Sequence, residues 1–194
     1  MKYATALNKP GLSANDQDKK FGLYALGGNT VLCHDIHNGY NDQFNKCDIL
    51  YSEPAWRHGY DIFMSKAGYE KRSFEQYVTD ICSFVKLSKK PAIIITGVKD
   101  SKLYQNNLKF EDSKIKLKVH NCNAMALFYN IPAILVNDNI ELLNIISKKF
   151  NNVGDFCAGY GNTADVFHKA GKNFVMSDVN PYYVSHMVNK YENI

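Results

Sequence analysis

Two short runs in this sequence hold residue types that could do chemistry. The first, Ser52-Glu53-Pro54-Ala55-Trp56, sets an indole ring three residues after a carboxylate, with a proline between them. Such a ring can stack on a nucleobase, worth roughly 1–3 kcal/mol per base in nucleic-acid binders. The second run, Asp155-Phe156-Cys157-Ala158-Gly159-Tyr160-Gly161-Asn162-Thr163, lies near the other end of the chain. Gly159 and Gly161 let the backbone approach a ligand, and Asp178, about twenty residues on, can accept both hydroxyls of a ribose. Ala164 stands where a dinucleotide fingerprint has its third glycine, which favours a cofactor without phosphates. If both runs belong to one site, the chain is a nucleotide-binding α/β domain written from the middle, with its first strand placed late.

These residues need elements to hold them, and the hydrophobic pattern supplies a set. Residues 30–35 and 47–52 are short apolar runs that read as buried strands, ending at Asp35 and leading into Glu53. Residues 73–88 put Phe74, Tyr77, Val78, Ile81, Phe84 and Val85 near helical spacing with Ser73 as N-cap, and residues 91–97 form a third buried strand. Residues 115–119, 124–129 and 133–136 read as three strands joined by short turns, an antiparallel edge. A helix over 141–146 and a strand over 152–157 lead into the glycine loop. A helix over 163–170 closed by Gly171, a strand over 174–178 and a helix over 181–191 with Pro181 in its first turn complete the chain. Strands alternating with helices predict a parallel sheet covered on both faces. Residues 1–29, punctuated by Lys9-Pro10-Gly11 and Gly27-Gly28, read as a mobile arm, and Arg57, His58, Tyr60 and Asp61 as a loop over the substrate.

Composition bounds the partners. At 194 residues, 45% apolar and 22% charged, the chain has the size and balance of one globular domain, residues 30–194 after the arm. No run of eighteen apolar residues occurs and the N-terminus lacks the apolar core of a signal peptide, which predicts a cytoplasmic protein without a membrane span. Cys33, Cys47, Cys82, Cys122 and Cys157 are scattered without a Cys-x-x-Cys pair, and His34 and His37 have no partner at metal spacing. Neither a disulfide framework nor a metal site is expected. The net charge of +4 hides a local excess between residues 86 and 118, where nine lysines face only Asp100, Glu111 and Asp112. That stretch is either a phosphate-binding surface or an ordinary solvated one.

The glycine loop and its flanks resemble a known family. Asp155 to Thr163 is similar to the Asp-Pro-Phe-x-Gly-Ser-Gly-Thr-Thr loop of S-adenosylmethionine-dependent methyltransferases that act on exocyclic amino groups of nucleobases. Residues 171–183, with Ser177-Asp178-Val179-Asn180-Pro181, resemble the segment that follows it, and Glu141-Leu142-Leu143 the helix before it. Glu53-Pro54-Ala55-Trp56 matches the spacing of the family's base clamp, a polar residue, two prolines and an aromatic. The clamp-first, loop-last order is the permuted order of the family's β group.

The resemblance implies a permuted Rossmann-like domain with a mostly parallel seven-stranded sheet, binding S-adenosylmethionine. Asp155, Cys157, Gly159 and Gly161 would line the methionine end of the cofactor, Asp178 would take its ribose, and Asp35 would sit near its adenine. Glu53, Pro54 and Trp56 would hold the target base, adenine or cytosine, in DNA. The departures are Phe156 for proline, Cys157 for phenylalanine, Tyr160 for serine, Glu53 for aspartate, asparagine or serine, and Ala55 for proline. They leave open a catalytically degenerate binding or scaffold subunit, and a methyltransferase for RNA or a small molecule. Between clamp and loop the chain has little beyond the sheet itself. That predicts a small substrate, low sequence specificity, or recognition supplied by a second subunit, whether a homodimer partner or another chain.

Overall fold

The structure, a computed structural model, describes residues 22–67, 72–108 and 114–192. Eight strands, β1 Leu23–Leu26, β2 Asn29–Cys33, β3 Ile49–Ser52, β4 Ala92–Gly97, β5 Lys114–Val119, β6 Cys122–Tyr129, β7 Asn152–Asp155 and β8 Asn173–Asp178, form one sheet in the order β1-β2-β8-β7-β3-β4-β6-β5. The four pairings from β2 across to β4 are parallel, and the outer three are antiparallel. The helices among the described residues are α1 Arg57–Ala67, α2 Phe74–Ser88, α3 Ser101–Asn107, α4 Asn139–Lys149, α5 Asn162–Lys169 and α6 Pro181–Tyr191. None of them is long and apolar enough to cross a membrane.

Helices cover both faces, as continuous apolar strands require. β4 is buried at every position, from Ala92 to Gly97. On one face Ile93, Ile95 and Val153 pack with Leu142 and Ile146 of α4, Phe167 of α5 and Val184 and Val188 of α6. On the other, Leu50, Ile94 and Leu127 pack with Tyr60 and Met64 of α1, Val78, Ile81 and Val85 of α2 and Tyr104 of α3. α2 begins where Ser73 accepts a hydrogen bond from the Gln76 N–H, and α4 where Asp138 accepts one from Glu141. At Gly154 the layers meet so closely that a Cβ would lie 2.7 Å from the Leu50 and Phe44 side chains, and only glycine fits.

Three expectations change. The sheet has an eighth strand because residues 23–26, read as part of the arm, pair antiparallel with β2 around the Gly27-Gly28 turn. β1 lies at the sheet's edge and alternates only between exposed and half-buried positions, too weak an apolar pattern to mark a strand. The rest of the expected arm, residues 1–21, lies outside the described residues. Residues 133–136 form no strand; Leu135 is exposed, Ile134 and Val136 pack against the core, and the chain meets β5 just beyond them, where the Lys118 N–H donates to Asn137 O and the Lys118 and Asp138 backbones bridge. Residues 57–67 are a helix rather than a loop, with Tyr60 and Met64 one turn apart and both buried. The lysine- and asparagine-rich stretch after β4 contains α3, anchored by buried Tyr104.

Candidate functional site

The parallel strands deliver their C-terminal ends to one edge of the sheet: Cys33 of β2 beside Asp178 of β8, then Asp155 of β7, Ser52 of β3 and Gly97 of β4. From β3 the chain continues outward to β4, whereas from β7 it continues the other way to β8. The crevice at such a switch point is where open α/β sheets bind ligands. A cavity of about 390 Å³ opens there. It is lined by Asp35 and His37 beyond β2, Asp178 and Asn180 beyond β8, Cys157, Gly159 and Tyr160 beyond β7, and Glu53, Ala55 and Trp56 beyond β3. The two runs that stand far apart in sequence therefore share one cavity.

The glycine loop is shaped by its own hydrogen bonds. Gly159 has φ +52° and an open Cβ position, and its N–H donates to Asp178 Oδ2 at 2.9 Å. The Asn180 N–H donates to the other oxygen at 2.8 Å, so the Asp178 carboxylate is fixed at the rim. Burial raises Asp178 to about 7, against those two hydrogen bonds, which lower it. Asp35 caps the turn Ile36–Asn38 by accepting from the His37 N–H, and also lines the cavity. Cys157 lines it too, and burial pushes its thiol well above the ordinary range, so it is a neutral wall rather than a nucleophile.

Asp155 and Gly161 are not among the residues lining the cavity. Asp155 lies behind its wall, where Oδ1 accepts from Ser52 Oγ at 2.8 Å and the Cys157 N–H at 3.1 Å, and Oδ2 from Thr163 Oγ1 at 2.7 Å. Those donors tie the end of β3, the glycine loop and the start of α5 together. Gly161 is the N-cap of α5 at φ +80°, facing Met187 of α6. Both shape the loop from outside the cavity.

At the clamp, Trp56 rests against Gly97 at the end of β4 and lines the cavity, while Pro54 is buried and does not line it. The Ala55 N–H donates to the Tyr77 hydroxyl at 3.2 Å, and that hydroxyl lies 3.6 Å from Cys157 Sγ. The Arg57 N–H donates to Asp100 Oδ2 at 3.1 Å, pinning the start of α1 after the clamp. Glu53 is raised to about 7, first by burial and then by the Asp155 charge. The contacts of Ala55 and Arg57 fix the turn that proline at position 55 would have stiffened.

Tyr77 and Asp100 are thus positioning residues that sequence reasoning did not single out. Tyr77 occupies an apolar position of a helix, where its ring alone explains it, and nothing in the spacing reveals the task of its hydroxyl. Thr163 did carry a signal, since it closes the glycine run. His58 is exposed, and His37 pairs its Nδ1 with Asp80 of α2. No group of three metal-ligating side chains occurs among the described residues.

No family model matches the chain, and no curated protein sequence matches it. Among solved structures it is similar in fold to M1.HpyAVI, with a TM-score of 0.52 and 14% identity over 82% of this chain and 97% of that one. The M1.HpyAVI–SAM complex gives 0.51 and 10% over 82% and 98%. TTHA0409 of Thermus thermophilus, complexed with S-adenosyl-L-methionine, gives 0.48 and 10% over 75% and 87%. At these identities the likeness is one of fold, and the fold is Rossmann-like α/β.

Proposed function

We propose that this chain is an S-adenosylmethionine-dependent methyltransferase acting on an exocyclic amino group of a nucleobase in DNA, adenine N6 or cytosine N4. One observation carries the reading: a buried carboxylate suited to a ribose, a glycine turn open to a ligand, and a half-buried carboxylate and an indole ring line a single cavity. The likeness in fold to M1.HpyAVI, solved in complex with SAM, supports the choice of cofactor.

The cofactor fits the residues present. Gly159, with nothing within 4 Å of its Cβ position, leaves room for a ligand to touch backbone, and Asp178 is oriented to accept hydroxyl hydrogens. Cys157 and Asp35 complete that half of the cavity, with Asp155 and Gly161 holding the loop from behind. Bound there, S-adenosylmethionine supplies an electrophilic methyl group. The other half belongs to the chain's own clamp. Trp56 stacks on the target base, and Glu53, as carboxylate, accepts one hydrogen of its amine, with the Pro54 carbonyl as the second acceptor. Glu53, raised to about 7, is also matched to take up the proton that the amine nitrogen sheds near neutral pH. The mostly apolar walls, Ile36, Ile62, Met64 and Phe156 among them, keep water from the amine.

The test is transfer of a radiolabelled methyl group to duplex DNA, single-stranded DNA, RNA and free nucleotides. Label in DNA is expected, located on an exocyclic nitrogen after digestion to nucleosides. Label confined to RNA or to small molecules would replace the substrate, and cofactor binding without transfer to any of them would mark a scaffold.

A further inference from the structure

At the far edge of the sheet, one face carries a row of lysines. In β5, Ile115, Leu117 and Val119 enter the core on the α4 side, so Lys114, Lys116 and Lys118 stand on the opposite face, the one that carries α2 and α3. Their cross-strand partners agree: Lys114 pairs with Leu127 and Lys116 with Met125, both in the α2–α3 core. Lys99 and Lys102, exposed just before α3 and in its first turn, belong to that layer as well. Among the described residues none of the five lysines forms an ion pair. Glu111 and Asp112 lie outside the described residues; among the described acids close to the lysines in sequence or across the edge, Asp100 is buried against Arg57, and Asp138 and Glu141 accept hydrogen bonds at the start of α4.

Lysines on edge strands also guard against unwanted strand pairing. Here part of that task is done otherwise, because the Lys118 N–H already donates to Asn137 O at 2.8 Å and the Lys118 backbone pairs with that of Asp138 in an isolated β-bridge. Nor does edge protection account for Lys99 and Lys102, which lie on no edge. Direction matters as well. β5 and β4 are both antiparallel to β6, and Leu117 and Gly97 share the partner Ala124. The lysine row therefore ends at the same rim as Gly97, on which Trp56 rests.

We propose that this face is a track for the phosphate backbone of duplex DNA, leading to the clamp; the proposal rests on the nucleobase reading above. The register suits it. Alternate residues of an antiparallel strand lie about 6.8 Å apart, and each DNA strand presents a phosphate about every 3.4 Å along the axis. Because the phosphates also wind about that axis, neighbours stand farther apart in space than this rise, and Lys114, Lys116 and Lys118 can each meet a separate phosphate of one strand. Lys99 and Lys102 extend the contact toward the cavity.

The experiment measures binding of the full chain to a fluorescent DNA duplex over a range of potassium chloride concentrations. Each neutralised phosphate contributes about 0.9 to the slope of log affinity against log salt. The triple variant Lys114→Gln, Lys116→Gln, Lys118→Gln is expected to flatten that slope by about 2.7, equally for unrelated sequences. Lys99→Gln with Lys102→Gln should flatten it by about 1.8, a check that does not touch the sheet edge. Variant slopes equal to the wild-type slope, no salt-dependent binding by the wild type, or a steeper slope on duplex RNA than on duplex DNA would each overturn the proposal. Calorimetry with S-adenosylmethionine on the same proteins separates the two ideas. Cofactor affinity is expected to be unchanged in the variants. No cofactor binding by any of them, with the slopes still differing as expected, would sink the methyltransferase reading while upholding the track.

Discussion

Glu53 and Asp178 sit in the same cavity, and burial raises both to about 7, yet the proposed function gives them different tasks. Glu53 must be ionised to accept the amine hydrogen, so turnover should rise with pH through about 7 and level off above it. In Glu53→Gln that limb should vanish and turnover fall by about a hundredfold or more, with cofactor affinity little changed. In the proposed role Asp178 must accept two ribose hydroxyls on its two oxygens, which it does fully only as carboxylate. Cofactor affinity should therefore strengthen over the same pH range and lose that dependence in Asp178→Asn; calorimetry across the neutral range reads it directly. Trp56→Ala should raise KM for the base-containing substrate by the loss of stacking, roughly 1–3 kcal/mol, while leaving the cofactor in place. These residues were legible because the type and spacing of carboxylate, glycine and indole have a chemical meaning before any fold is known. Tyr77 was not, because its ring satisfies the helix pattern and its hydroxyl acts only through Ala55 and Cys157.

Elements carry the precision of this site, and the loop from β7 to α5 shows how. Gly161 turns into α5 at φ +80°, and a Cβ there would stand 3.1 Å from Met187 of α6. Gly161→Ala should therefore destabilise the fold by about 1–2 kcal/mol, the cost of a left-handed conformation for an L-residue, and more if Met187 cannot yield. Urea unfolding measures it; no change in midpoint would mean that the turn relaxes. Tyr77→Phe should cost about 1 kcal/mol through the Ala55 N–H it leaves without a partner, and should lower turnover more than cofactor affinity. The helices with caps and full apolar faces, α2 and α4, were legible in the sequence because both signals are local. α1 was not: among its described side chains Tyr60 and Met64 are the buried apolar anchors, and their spacing is lost among Arg57, His58 and Asp61. The apolar run at 133–136 misled for the opposite reason. Hydrophobicity alone does not make a strand where no neighbouring edge pairs with it.

Across the whole molecule the same chemistry sets a balance between binding and stability. Glu53, Asp155 and Asp178 are gathered at one end of the sheet and raised to about 7, 6 and 7, with burial the largest cause for each. Carboxylates in an unfolded chain titrate near 4, so from about pH 4 to 7 the folded protein holds more protons than the unfolded one. These three groups therefore contribute stability that is fully present below about pH 4 and is lost as pH rises through 6 and 7. That gathering follows from topology, which no window of sequence contains: Ser52 and Asp155 are 103 residues apart, yet their side chains share a hydrogen bond. Asp155→Asn isolates one member, since the amide keeps the shape but cannot ionise. Its cost relative to wild type, set by the Thr163 and Ser52 contacts, should be larger on the acid side of about pH 6 and shrink above it, where the wild type carries a buried charge and the variant does not. Thermal unfolding of both proteins at closely spaced pH values reads the difference, and parallel Tm curves would show that the Asp155 charge is compensated by its three donors.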